Sequence, residues 1–100
     1  CTILARKDLT VFSFDVVGKK GGESDCFVLT RPGGYHRHEK DLIDDGSWQR
    51  VLDRRVRLVQ RVRSNIGALD EEVHIARGST QAFYVYCDDK ILTDKAKNEG

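Results

Sequence analysis

Arg50, Arg54, Arg57 and Arg61 stand four, three and four residues apart. On a helix turning about 100° per residue that spacing gathers the guanidinium groups into one ridge, a surface suited to phosphates or carboxylates. A second cluster is His36-Arg37-His38-Glu39. In extended chain, side chains two apart point the same way, so His36 and His38 converge on one phosphate or one Zn²⁺. Two imidazoles do not complete a metal site, and a third ligand would have to come from His74, Asp41, Asp44 or Asp45. The simpler reading is a solvated loop after the turn at Arg31-Pro32-Gly33-Gly34, with no metal and no cofactor. Tyr84 and Tyr86 form a third set. They alternate with Phe83, Val85 and Cys87, so if the latter face the core the tyrosines make an outward aromatic platform.

Composition narrows what these groups can do. The chain has 100 residues, 33% charged and 39% hydrophobic, which is the balance of one soluble domain. A net charge of +1 means that any attraction to nucleic acid must come from local arginine clustering. No apolar run is long enough to span a bilayer. Cys26 and Cys87 lie in apolar runs and read as small buried hydrophobes. With Cys1 the count is odd and no CxxC occurs, so a reducing, cytoplasmic setting is the default. Gly18-Lys19-Lys20-Gly21-Gly22 lacks the spacing of a phosphate loop and serves a turn.

The elements that must position these residues follow from periodicity. Residues 9–17 alternate Thr10, Phe12, Phe14 and Val16 against Leu9, Val11, Ser13 and Asp15, a half-buried strand. A hairpin with a long mobile tip at 18–25 leads into a second strand at 26–30. Ser47 is placed as an N-cap and Gly67 as the residue just past a helix C-terminus. Between them Trp48, Val51, Leu52, Leu58, Val59, Val62 and Ile66 share the arc opposite the arginine ridge, which predicts a long amphipathic helix. Arg55 falls within that arc and needs a carboxylate, for which Asp15 and Glu72 are the candidates. A rival reading makes 54–63 a strand, because Arg55, Arg57, Arg61 and Arg63 alternate with Val56, Leu58 and Val62. Residues 71–77 and 82–87 read as strands around a Gly78-Ser79-Thr80 hairpin turn, 91–93 as a short edge strand and 94–100 as a solvated tail.

The expected fold is therefore α+β. An antiparallel sheet of four to five strands carries one long amphipathic helix on one face, in the order strand, strand, helix, strand, strand, as a single domain over 1–93. Its outer face would carry Tyr84 and Tyr86, with Phe12 and Phe14 as further candidates and His74 and Glu72 keeping it partly polar. So much exposed aromatic area points first to a non-enzymatic binding or interaction module, homodimeric or bound to another protein. The alternative is an RNA or single-stranded DNA binder, with the arginines on phosphates and the tyrosines on bases. The lesser alternative is a metal-independent ribonuclease-like enzyme. There His36 or His38 would be the base, His74 the acid, and Arg37 or Arg54 the stabiliser of phosphorane charge.

Overall fold

The computed structural model describes residues 2–33 and 48–99, and these build seven strands with no helix among them. The strands are β1 (Thr2–Leu4), β2 (Leu9–Gly18), β3 (Gly22–Pro32), β4 (Gln49–Leu58), β5 (Arg63–Ile75), β6 (Thr80–Cys87) and β7 (Ile91–Glu99). They form two antiparallel sheets, one four-stranded in the order β1-β6-β3-β4 and one three-stranded in the order β5-β2-β7. Only β3 and β4 are neighbours both along the chain and across hydrogen bonds; every other described connection crosses between sheets.

Crossing connections turn the inner faces toward each other, and the apolar residues meet there. Val11, Phe14 and Val16 of β2 and Ile66 of β5 are fully buried with Val28 of β3, Leu52 of β4 and Phe83 of β6. The rings of Phe14 and Phe83 lie 5.1 Å apart at 60°, one from each sheet. Each large side chain so enclosed contributes about 1.5 to 3 kcal/mol.

The α+β expectation is thus corrected to an all-β sandwich, and the reason lies in one bulge. Across β3 and β4, Val28 pairs with Leu52 but Leu29 pairs with Arg50, which leaves Val51 as an extra residue. Consecutive Val51 and Leu52 are both buried as a result. A bulge breaks the two-residue period, and apolar neighbours flanked by arginines then imitate a helical arc. Residues 48–66 are not a helix: β4 leaves through a turn at 59–62 and the chain returns as β5. Val59 and Val62 are exposed in that turn, and Arg61 has a left-handed φ of 58°. The arginine ridge therefore does not exist. The rival strand reading holds to Leu58 only, since Arg61 is in the turn and Arg63 opens β5.

A second bulge corrects the reading of β2. Val11 pairs with Asn98 of β7 and Ser13 with Lys97, so Phe12 is the extra residue. Leu9, Val11, Phe14 and Val16 all pack on the core, a set drawn from both halves of the expected alternation. The glycine-rich tip between β2 and β3 joins two sheets instead of closing a hairpin. It is pinned by Asp89, whose carboxylate accepts the Lys20 N–H at 3.0 Å and the Gly21 N–H at 2.8 Å. The turn at Gly78 likewise links strands of different sheets. Residues 94–99, read as tail, are strand: Asp94 to Glu99 pair with Val16 to Thr10 of β2. Backbone hydrogen bonds do not require apolar side chains, and Ala96 alone packs on the core there. No described helix is long and apolar enough to cross a membrane.

Candidate interaction surface

Strand β3 is central in its sheet, and its period of two divides the residues cleanly. Cys26 and Val28 are buried toward the other sheet, while Phe27, Leu29 and Arg31 share the outer face. Register carries that face sideways. Phe27 is opposite Tyr86 and Leu29 opposite Tyr84 on β6; Leu29 is opposite Arg50 and Phe27 opposite Asp53 on β4. Directly paired residues point the same way, so an aromatic group and an arginine–carboxylate pair come together.

Phe27 and Tyr86 stack at 4.8 Å and 22°, and Tyr84 lies 6.3 Å from Phe27. The Arg50 guanidinium carbon sits 5.0 Å from the centre of the Phe27 ring, a cation–π contact, and one of its nitrogens meets Asp53 at 2.8 Å. Toward one end, Leu29 and Ala82 are buried beneath Trp48, which packs on them with Arg31 5.5 Å from its ring centre. Tyr86 remains 41% exposed.

Toward the other end the face becomes a ladder of opposite charges. Arg55 of β4 meets Glu23 at 2.8 Å and Asp25 at 3.1 Å, both on β3. The Arg55 guanidinium holds the Glu23 carboxyl below its usual range, and Glu23 followed by Asp25 raises the guanidinium further. These are the partners of Arg55, in place of Asp15 or Glu72. They stand in solvent because β4 turns Arg55 away from the core. Arg57 is opposite Glu23 in the same rows.

The four arginines of the expected ridge are dispersed. Arg50 and Arg57 lie on the outer face, Arg61 is in the turn after β4, and Arg54 points to the sandwich margin. There it donates to the Ala68 carbonyl at 3.0 Å and stands 3.5 Å from Asp70. Tyr84 and Tyr86 do share the outer face. Phe14 does not, being in the core, and Phe12, His74 and Glu72 belong to the three-stranded sheet. His36, His38 and Arg37 lie outside the described residues. His74 Nδ1 is 2.8 Å from Thr10 Oγ1, and the nearby Asp8 carboxylate accepts the Arg77 N–H at 2.8 Å. His74 lines one open concavity with Asp8, Thr10 and Glu99 at this end of the three-stranded sheet. Sequence reasoning overlooked Phe27, although its alternation with Cys26 and Val28 in a β-branched run carried the signal.

Comparison with known proteins finds no matching family model, no matching curated protein and no matching solved structure.

Proposed function

We propose that this chain is a small non-enzymatic binding module that pairs with a second copy of itself through the outer face of the four-stranded sheet. The observation that carries the reading is the stack of half-buried Phe27 on exposed Tyr86, flanked by Tyr84 and Arg50 on three hydrogen-bonded strands. Aromatic groups held rigidly on a sheet lose little entropy on being covered, and with a neighbouring arginine they have the composition of an interface centre.

Charge favours a second copy over a nucleic acid. Arg50 is engaged by Asp53, and Arg55 by Glu23 and Asp25, so carboxylates stand where phosphates would have to lie. A surface with a carboxylate row on β3 beside an arginine row on β4 is self-complementary: a two-fold axis can set each row over its opposite in the partner.

Sedimentation equilibrium tests the proposal. The wild-type chain is expected to be dimeric at micromolar concentration, and Tyr86→Glu to be monomeric with an unchanged circular dichroism spectrum. A monomeric wild type overturns it. Salt-dependent binding of a labelled single-stranded oligonucleotide, lost in Tyr86→Ala, would install the nucleic-acid reading instead.

A further inference from the structure

Cys26 and Cys87 face each other across β3 and β6 as direct register partners, both free thiols and both buried. Their pair type can be read from the neighbouring hydrogen bond. Asp88 N–H donates to the Asp25 carbonyl at 3.1 Å, the flanking bond that marks 26 and 87 as a pair without backbone bonds to each other. In a non-hydrogen-bonded antiparallel pair the Cα atoms approach to about 4.5 Å, within the roughly 4.4 to 6.8 Å that a disulfide spans. Cys26 Sγ lies 3.9 Å from the Ser24 carbonyl oxygen.

The surroundings hold this geometry from both strands. Asp88 accepts the Asp25 N–H at 3.1 Å, and the Asp89 N–H donates to Ser24 Oγ at 3.2 Å. The turn after β6 is thus fastened to the start of β3 on one side of the two cysteines. Direct register puts both side chains on the same face of the sheet, the arrangement from which a cross-strand bridge closes.

From this we infer that Cys26 and Cys87 form a redox-closable pair, oxidised to a cross-strand disulfide by exchange with a low-molecular-weight disulfide. One protein thiolate attacks that disulfide, forming a mixed disulfide and releasing one small thiol. The second protein thiolate then attacks the protein-side sulfur, closing the Cys26–Cys87 bond and releasing the other. Two protein thiols and one small disulfide become one protein disulfide and two small thiols. The two electrons pass to the small molecule and its thiols take up the two protons. Burial raises the Cys87 thiol well above its ordinary range, so the folded pair exchanges slowly and closure occurs when this end of the sandwich opens or as the chain folds.

The test uses the full chain carrying Cys1→Ser, equilibrated in mixtures of reduced and oxidised glutathione. Equilibrium is approached from reduced folded protein and from reduced unfolded chain, so that slow access cannot conceal the result. Acid quenching, alkylation in denaturant and peptide mass analysis then count free thiols. The expected product is the linked Cys26–Cys87 peptide, lighter by two hydrogens, at glutathione ratios where the same chain in concentrated urea keeps free thiols. Its thermal midpoint should exceed that of the dithiol form by at least about 5 °C. Two alkylatable thiols, or single glutathione adducts, reached from both directions would overturn the inference.

Discussion

At the scale of single residues, Gly67 and Asp89 show how local geometry is held by distant contacts. Gly67 has a φ of 99°, which side-chain-bearing residues rarely adopt, and an added Cβ would overlap the Arg54 guanidinium. Gly67→Ala is expected to cost about 1 to 2 kcal/mol for the backbone alone. It should cost more in total, because Arg54 must also leave the Ala68 carbonyl. In a double-mutant cycle by urea unfolding, Arg54→Ala should remove the second part and leave the first. Asp89 is held below the ordinary carboxylate range by the Gly21 backbone N–H first, then by those of Lys20 and Lys90. A depressed folded pKa contributes stability that is present above the unfolded value near pH 4 and is lost as pH falls through the folded one. Burial pushes Asp15 up, but hydrogen bonds from Asn65 and Lys97, with the charges of Lys97 and Arg63, outweigh it, so the same sign applies. Stability should therefore decline as pH falls below about 4, and Asp89→Asn should flatten that decline while lowering stability at neutral pH.

Bulges decide what the individual strands present. In β2 the extra Phe12 lets Leu9, Val11, Phe14 and Val16 all reach the core. Deleting Phe12 would turn either Leu9 and Val11 or Phe14 and Val16 outward, and cooperative thermal unfolding should be lost. Substituting Phe12→Thr keeps the residue count and should leave a folded protein. On β4, by contrast, the outer arginines stand in water. In the Tyr86→Glu monomer Arg55→Leu and Asp25→Asn should each fall within the error of chemical denaturation, since exposed ion pairs are screened and flexible. In the wild-type chain, where the proposed dimer covers the ladder, the loss should be larger and should depend on protein concentration.

For the molecule as a whole, the two sheets depend on strands far apart in sequence. β7 supplies one flank of β2 through residues that resemble a tail, and their removal would leave that central strand open along Thr10 to Val16. Truncation after Thr93 should therefore abolish cooperative unfolding, whereas a dispensable tail would leave the thermal midpoint unchanged. Crossing connections also explain how the outer aromatic face is completed: Arg50 reaches Phe27 by the direct succession of β3 and β4, but Tyr86 joins them only because the chain has left this sheet as β5 and returned as β6.

Strand existence was legible wherever alternation ran unbroken. Ala82 to Cys87, with Phe83 and Cys87 inward and Tyr84 and Tyr86 outward, followed from period two alone, and the burial of Cys26 from its apolar run. Those properties depend on a residue and its neighbours two places away. The partners of the strands did not follow, because backbone pairing is blind to side-chain type: DKAKNE serves as β7 as well as an apolar run would. Nor did the true path of residues 48–66. A one-residue bulge at Val51 and a left-handed turn at Arg61 are stabilised by the strand alongside and the sheet beneath, and without those neighbours the same residues satisfy a helical period equally well. The outer face needed both kinds of information, since period two aimed Tyr86 outward and only the register of β3 and β4 brought Phe27 and Arg50 to it.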